Sequence, residues 1–144
     1  MTESGILYVL ATPIGNLKDI TIRAVEVLRD ADFVVAESSA RALKLLNHLG
    51  IHKSILSINS YNEERKSMNI AERIGRGESC ALITSAGTPC ISDPGNIIVR
   101  RCHEKGLSVR AVPGPSAAVS AVSVRGSSPT ILYFTVFCRR KDRK

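Results

Sequence analysis

The sequence predicts an α/β domain built on a mostly parallel sheet with helices on both faces. Short apolar runs alternate with helical patterns along the chain, and Gly or Pro turns separate them. The length, 144 residues, suits a single domain able to bury a sizeable core. The composition, 44% hydrophobic and 23% charged, is that of a soluble globular domain and excludes a disordered or collagen-like chain.

Taken in order, Ile6 to Ala11 is an apolar run of strand length, broken by Thr12-Pro13-Ile14-Gly15-Asn16. Thr21 to Asp30 follows with a helical pattern, Ile22, Val25 and Leu28 standing three residues apart. Asp32 to Ala36 is a second strand, and the next helix carries Leu43, Leu46 and Leu49, with Gly50 placed as its left-handed stop. Ser54 to Ile58 is a weaker strand. Asn62 is positioned to cap a helix with Met68, Ala71 and Ile74 on one face. Cys80 to Thr84 is a strand, and Asp93-Pro94 reads as a cap with proline in the first helical position. That helix runs to about Lys105 and ends at Gly106. Leu107 to Val112 is a strand, Pro115 or Ser116 opens a helix that Gly126 ends, and Ile131 to Phe137 is a last β-prone run. There is no internal repeat.

Right-handed crossovers place every strand-to-helix loop on one edge of such a sheet, where ligands of open α/β sheets bind. Five of the six prolines fall in three of those loops: Pro13; Pro89 and Pro94; Pro113 and Pro115. Gly15, Gly87, Gly95 and Gly114 accompany them. Proline fixes the backbone and glycine permits close approach, so these loops can present rigid backbone groups to a ligand. No G-x-x-x-x-G-K-[ST] and no G-x-G-x-x-G is present, and none of the three loops holds a lysine or a histidine. Neutral, small-residue loops suit a ligand held by shape and backbone contacts. S-adenosylmethionine fits that description, though composition does not single it out.

Charge is unevenly placed. Twenty Lys and Arg against thirteen Asp and Glu leave a net +7, of which +4 lies in residues 139–144. That basic tail suits a polyanion, or is a solvated end. Aromatics are only 4%, so no stacking platform for bases is visible. Cys80, Cys90, Cys102 and Cys138 lack C-x-x-C spacing, and His48, His52 and His103 do not cluster with them; core cysteines, surface histidines and no metal are expected. No apolar run approaches the roughly 18 residues of a spanning helix. The N-terminus carries an acid and no basic cluster, unlike a secretory signal, so the expected compartment is the cytoplasm.

Four segments carry a resemblance: LYVLATPIGNLKDITIRAVEVLRDAD, AESSARALKLLNHLGI, ALITSAGTPCISDPG and VPGPSAAVSA. Together they resemble the ribosomal RNA small subunit methyltransferase I family, whose members have the tetrapyrrole (corrin/porphyrin) methylase fold. The resemblance runs from about Leu7 to Phe137. It implies methyl transfer from S-adenosylmethionine to the ribose 2′-hydroxyl of a cytidine in 16S rRNA of the small ribosomal subunit. It also implies an N-terminal α/β methylase domain over residues 1–137 and a basic tail, 138–144, at the start of an interdomain connection. The second domain of the family is absent, so the chain is expected to be inactive alone.

The same resemblance assigns cofactor-side positions to Pro13, Ile14 and Gly15; to Ser85, Ala86, Gly87, Thr88, Pro89, Ser92 and Asp93; and to Pro113, Gly114, Pro115 and Ser116. Backbone groups of Ala86 and Gly87 are expected to touch the cofactor. Asp93 is equally a plain helix cap. Glu37, at the end of the second strand, is the candidate for a catalytic role, with a solvated strand end as its other reading. Arg139, Arg140, Lys141, Arg143 and Lys144 are expected to contact RNA, and a bare cleft face is expected to pair the chain as a homodimer. The chain departs from the family's Ala-Glu-Asp-Thr-Arg at Ser38-Ser39-Ala40, with Arg41 one place later. Ser85 stands for an acid and Cys90 for a glycine. Two alternatives remain: a tetrapyrrole methylase, disfavoured because the first loop lacks a G-x-G-P-G-D pattern, and a non-catalytic domain that dimerises or binds RNA.

Overall fold

The structure, a computed structural model, describes residues 4–126. The expected strand at 131–137 and the basic tail lie outside the described residues.

Among the described residues, five strands form one sheet in the order β3-β2-β4-β1-β5: β1 (Ile6–Leu10), β2 (Phe33–Ala36), β3 (Ser54–Ser57), β4 (Cys80–Ile83) and β5 (Ser108–Val112). Every pairing is parallel, with Leu7 beside Cys80, Phe33 beside Cys80, and Ile6 beside Ser108. The helices are α1 (Ile22–Asp30), α2 (Ser39–His48), α3 (Glu63–Gly75), α4 (Asn96–Glu104) and α5 (Ala117–Val124). A 3-10 turn, Leu17–Asp19, precedes α1.

Sequence patterning explains the layers. β2 and β4 are buried throughout, which only strands covered on both faces can be. Alternate residues serve opposite faces. Val34, Ala36, Ala81 and Ile83 pack with Ala24 and Leu28 of α1 and with Ala42, Leu45 and Leu46 of α2. Phe33, Val35, Cys80 and Leu82 pack with Ile70, Ala71 and Ile74 of α3 and with Ile98 and Cys102 of α4. The edge strands β3 and β5 are more exposed.

The five described strands and the left-handed stops at Gly50, Gly106 and Gly126 match expectation. The apolar faces of three helices do not. Ile22 is 80%, Leu43 51% and Met68 43% exposed. A three-residue step falls about 60° short of a full turn, so a stripe read only at that spacing drifts off the buried face. The buried stripes also use four-residue steps, such as Ala24 to Leu28 and Ile70 to Ile74.

Two expected caps differ as well. Asn62 precedes α3, but its side-chain oxygen accepts the Asn59 N–H at 2.9 Å, closing a turn instead. Helix α4 begins at Asn96, not at Asp93-Pro94. Gly95 holds the cap position at φ +133°, and a Cβ there would meet Cys90 Sγ at 2.6 Å and Leu82 Cδ2 at 2.8 Å. The capping acceptor comes from another helix. Buried Glu63 takes the Gly95 and Ile97 N–H groups on Oε1 at 2.9 and 2.8 Å.

Candidate functional site

The loops after β1, β4 and β5 meet at the carboxyl edge of the sheet. β1 and β4 are neighbours, so their loops leave side by side. They are tied by a reciprocal pair: the Thr12 N–H donates to the Gly87 carbonyl at 2.9 Å, and the Gly87 N–H to the Thr12 carbonyl at 3.1 Å. The buried Thr12 hydroxyl lies 3.3 Å from the Thr84 carbonyl and 3.4 Å from that of Gly87. Gly87 makes this possible at φ +80°. The β5 loop closes over β1 because Gly114 lets the chains touch; a Cβ there would stand 3.0 Å from the Ala11 Cβ.

Two cavities open at this edge, and Ile14 and Ala86 line both. The first, about 450 Å³, is bounded by Thr12, Pro13, Gly15, Thr84 and Ser85, and across from them by Arg41, Lys44 and Leu45 of α2. The second, about 600 Å³, is mainly apolar, with Ile91, Ala117, Ala118 and Val119 in its wall. Its polar groups are Thr88, Ser92, Asp93 and Ser116. Ser116 also caps α5, accepting the Val119 N–H.

Of the positions read from sequence, Pro13, Gly15 and Ser85 line the first cavity, Gly87, Thr88, Ser92, Asp93 and Ser116 the second, and Ile14 and Ala86 both. Pro89, Pro113, Gly114 and Pro115 line neither; Pro89 is buried and Gly114 packs on Ala11. Of the backbone groups expected to touch a cofactor, the Gly87 N–H and carbonyl are both engaged by Thr12. Asp93 is free of the capping role and faces the second cavity. Arg41 and Lys44 reach the site from α2, so the loop sequences carry no sign of them.

Glu37 lines neither cavity. It accepts the Ser85 hydroxyl at 2.8 Å and the Thr84 hydroxyl at 3.5 Å, an arrangement that holds the start of the β4 loop. Cys90, where the resembled family carries glycine, is the non-glycine residue with positive φ, +67°, among the described residues. Burial, with the Glu63 and Asp93 carboxylates nearby, pushes its thiol up to about 12. Burial likewise raises Cys102 to about 11, and raises Cys80 further. Among the described residues no group of three or more His, Cys, Asp or Glu is placed to hold a metal, and no helix is long and apolar enough to cross a membrane.

The parallel sheet and the small-residue cleft at its carboxyl edge are those of an open α/β ligand-binding domain, and the chain belongs to the tetrapyrrole (corrin/porphyrin) methylase family, whose profile matches residues 6–143. In sequence it is similar to the Ribosomal RNA small subunit methyltransferase I of Leptospira biflexa, 42% identical over 99% of this chain and 59% of that protein. The enzyme of the same name from Haemophilus influenzae is also 42% identical, over 99% of this chain and 51% of that one. The chain thus spans about half the length of the curated relatives it matches. In structure it resembles a diphthine synthase, with TM-score 0.65 at 22% identity over 83% of this chain and 48% of that one. A uroporphyrin-III-C-methyltransferase from Thermus thermophilus gives 0.63 at 21%, over 83% and 50%.

Proposed function

We propose that this chain is the cofactor-binding half of an S-adenosylmethionine-dependent methyltransferase that acts on the ribose 2′-hydroxyl of a cytidine in 16S rRNA of the small ribosomal subunit, in the cytoplasm. The observation that carries the reading is the second cavity, formed where the tied β1 and β4 loops meet the start of α5.

The residues present suit the cofactor. A Cβ on Gly87 would meet only the Ile14 Cγ2 within 4 Å, an ordinary contact at 3.6 Å, so the cavity side of this position is open space. A cavity of about 600 Å³ with apolar walls and a few polar groups is of the size and character that enclose a nucleoside-sized ligand. Ile14, Ile91 and Val119 supply apolar surface for a purine. Thr88, Ser92 and Ser116 supply hydroxyls for ribose and amino-acid groups, and Asp93 is the anion that favours a cationic ligand. When bound, S-adenosylmethionine supplies a methyl group already activated on sulfonium. The protein's task is then mainly to hold the acceptor hydroxyl in line and to exclude water. Glu37 contributes by positioning Ser85 at the boundary of the first cavity.

Further parts of the reading fall outside the described residues or beyond this chain. The segment 1–137 forms the methylase domain and 138–144 the start of the connection to a second one. Arg139, Arg140, Lys141, Arg143 and Lys144 touch RNA phosphates. The exposed Ile91 and Val119 at the cleft favour a covering second copy, as a homodimer.

Calorimetric titration of the chain with S-adenosylmethionine tests the central reading. Saturable binding that Asp93→Asn and Ser116→Val weaken is the expected result; heats indistinguishable from dilution overturn it.

A further inference from the structure

We propose that the first cavity is a phosphate subsite for the polynucleotide, with Arg41 and Lys44 of α2 gripping a phosphodiester beside the nucleoside that receives the methyl group. This rests on the reading of the second cavity as the methyl-donor site and names what lies across the shared wall.

Three observations carry it. The two cavities differ in charge: Asp93 is the ionisable group lining the second, whereas Arg41 and Lys44 are those lining the first. A sulfonium is favoured by the one and an anion by the other. Next, the two cations are available. Arg41 and Lys44 lie three apart on one helix, which puts them on a common face. Among the described residues neither side chain has an ion-pair partner, while Arg73, Arg100 and Arg101 are matched with Glu78, Glu64 and Glu104. Finally, the cavity has the right company for a ribose-phosphate. Thr12, Thr84 and Ser85 bring hydroxyl oxygens to the side facing the cations; their protons go to the Thr84 and Gly87 carbonyls and to Glu37, which leaves the oxygens to accept from ribose hydroxyls while the cations alone meet the phosphate. A guanidinium forks onto phosphate oxygens, and an ammonium adds a point charge to the same group.

The wall gives the proposal its geometry. Ile14 and Ala86 line both cavities, so a ligand in each would be separated by one layer of side chains. A phosphate held by α2 fixes the backbone of the acceptor strand next to the donor without reading its bases. A carboxylate of the cofactor is the other source of an anion here, and the experiment separates the two.

The test titrates a labelled single-stranded oligoribonucleotide with the chain by fluorescence anisotropy across a salt series, with calorimetry of S-adenosylmethionine alongside. The proteins are the wild type, Arg41→Gln/Lys44→Gln, and Lys105→Gln, an exposed cation at the far end of α4. The double variant should bind RNA about tenfold more weakly. Its slope of log affinity against log salt should be shallower by roughly 0.7 to 1.4, the release expected from one or two phosphate contacts on a single strand. Its affinity for S-adenosylmethionine should match the wild type, and Lys105→Gln should match the wild type throughout. Unchanged RNA binding overturns the proposal, as does an equal loss in Lys105→Gln or no RNA binding by the wild type. Loss of cofactor affinity in the double variant with RNA binding intact assigns the cations to the cofactor carboxylate and overturns it too. A wild type that binds RNA through Arg41 and Lys44 but takes up no S-adenosylmethionine removes the reading of the second cavity and leaves the phosphate assignment standing.

Discussion

Replacing Glu63 with alanine should destabilise the domain from a point remote in sequence from the helix it caps. Helix α4 has no side-chain cap of its own, and the carboxylate of Glu63 receives the Gly95 and Ile97 N–H groups at 2.9 and 2.8 Å. Glu63 is only 4% exposed, so water does not readily take its place. A buried donor left unmatched costs about 1–3 kcal/mol, and loss of a helix cap alone about 1 kcal/mol. The two N–H groups share one acceptor oxygen, so their costs overlap, and about 2–4 kcal/mol is expected. For a domain of this length that is a fall in Tm of roughly 8–16 °C. Glu63→Gln keeps an acceptor oxygen and loses the charge at the helix N-terminus, so about 1 kcal/mol is expected. Urea denaturation, with the slope m unchanged between variants, measures both, and hydrogen exchange at Gly95 and Ile97 localises the effect. An alanine variant within about 0.5 kcal/mol of the wild type, or a glutamine variant as damaged as the alanine one, would refute the capping argument.

Three further outcomes are expected. Gly87→Ala forces a side chain to φ +80°, which should cost about 1–2 kcal/mol and weaken S-adenosylmethionine binding; calorimetry showing unaltered affinity removes Gly87 from the site. In a Cys138→Ser background, a thiol reagent at pH 8 should label the native chain at least about a hundredfold more slowly than the unfolded one, because Cys90 and Cys102 are raised to about 12 and 11 by burial. Since these thiols are raised in the folded state, the associated stability is complete below the ordinary value of 9.0 and is lost as pH climbs above it; urea midpoints measured on both sides of that value show the fall. Replacing Arg139, Arg140, Lys141, Arg143 and Lys144 by Gln should weaken RNA binding and flatten its salt dependence, and an unchanged slope would make the tail a solvated end.

The strands were legible because burial on both faces writes a continuous apolar run, as Phe33 to Ala36 and Cys80 to Ile83 show. The helix stops were legible because glycine marks a left-handed residue, as at Gly50 and Gly106. The buried helix faces were harder, since Ile22, Leu43 and Met68 continue a spacing that has rotated away from the sheet. The cap of α4 was hidden for a different reason. Its acceptor lies 32 residues upstream, and no local pattern links Glu63 to Gly95. The site was read as three neutral loops, and the loops do converge. The bond between Thr12 and Gly87 depends on β1 and β4 being neighbours, and the entry of Arg41 and Lys44 depends on where α2 lies, so both needed the tertiary arrangement. Cys90 was visible only as a departure from a family glycine, and its φ of +67° gives that glycine its reason.

The order of strands also sets a timetable for folding. Among the described residues β1 pairs with β4 and β5, more than seventy residues downstream of it. During synthesis β1 therefore waits for its partners, while β2 can already pair with β3. Not until residues 80–83 leave the ribosome can β1 enter the sheet, and only then do Thr12 and Gly87 meet. Closing so long a loop carries an entropic cost before its contacts form, which makes the docking of β1 onto β4 a slow step. A nascent chain halted before β4 would hold an apolar strand with no place in the sheet, and that is the length at which this domain is most exposed to aggregation.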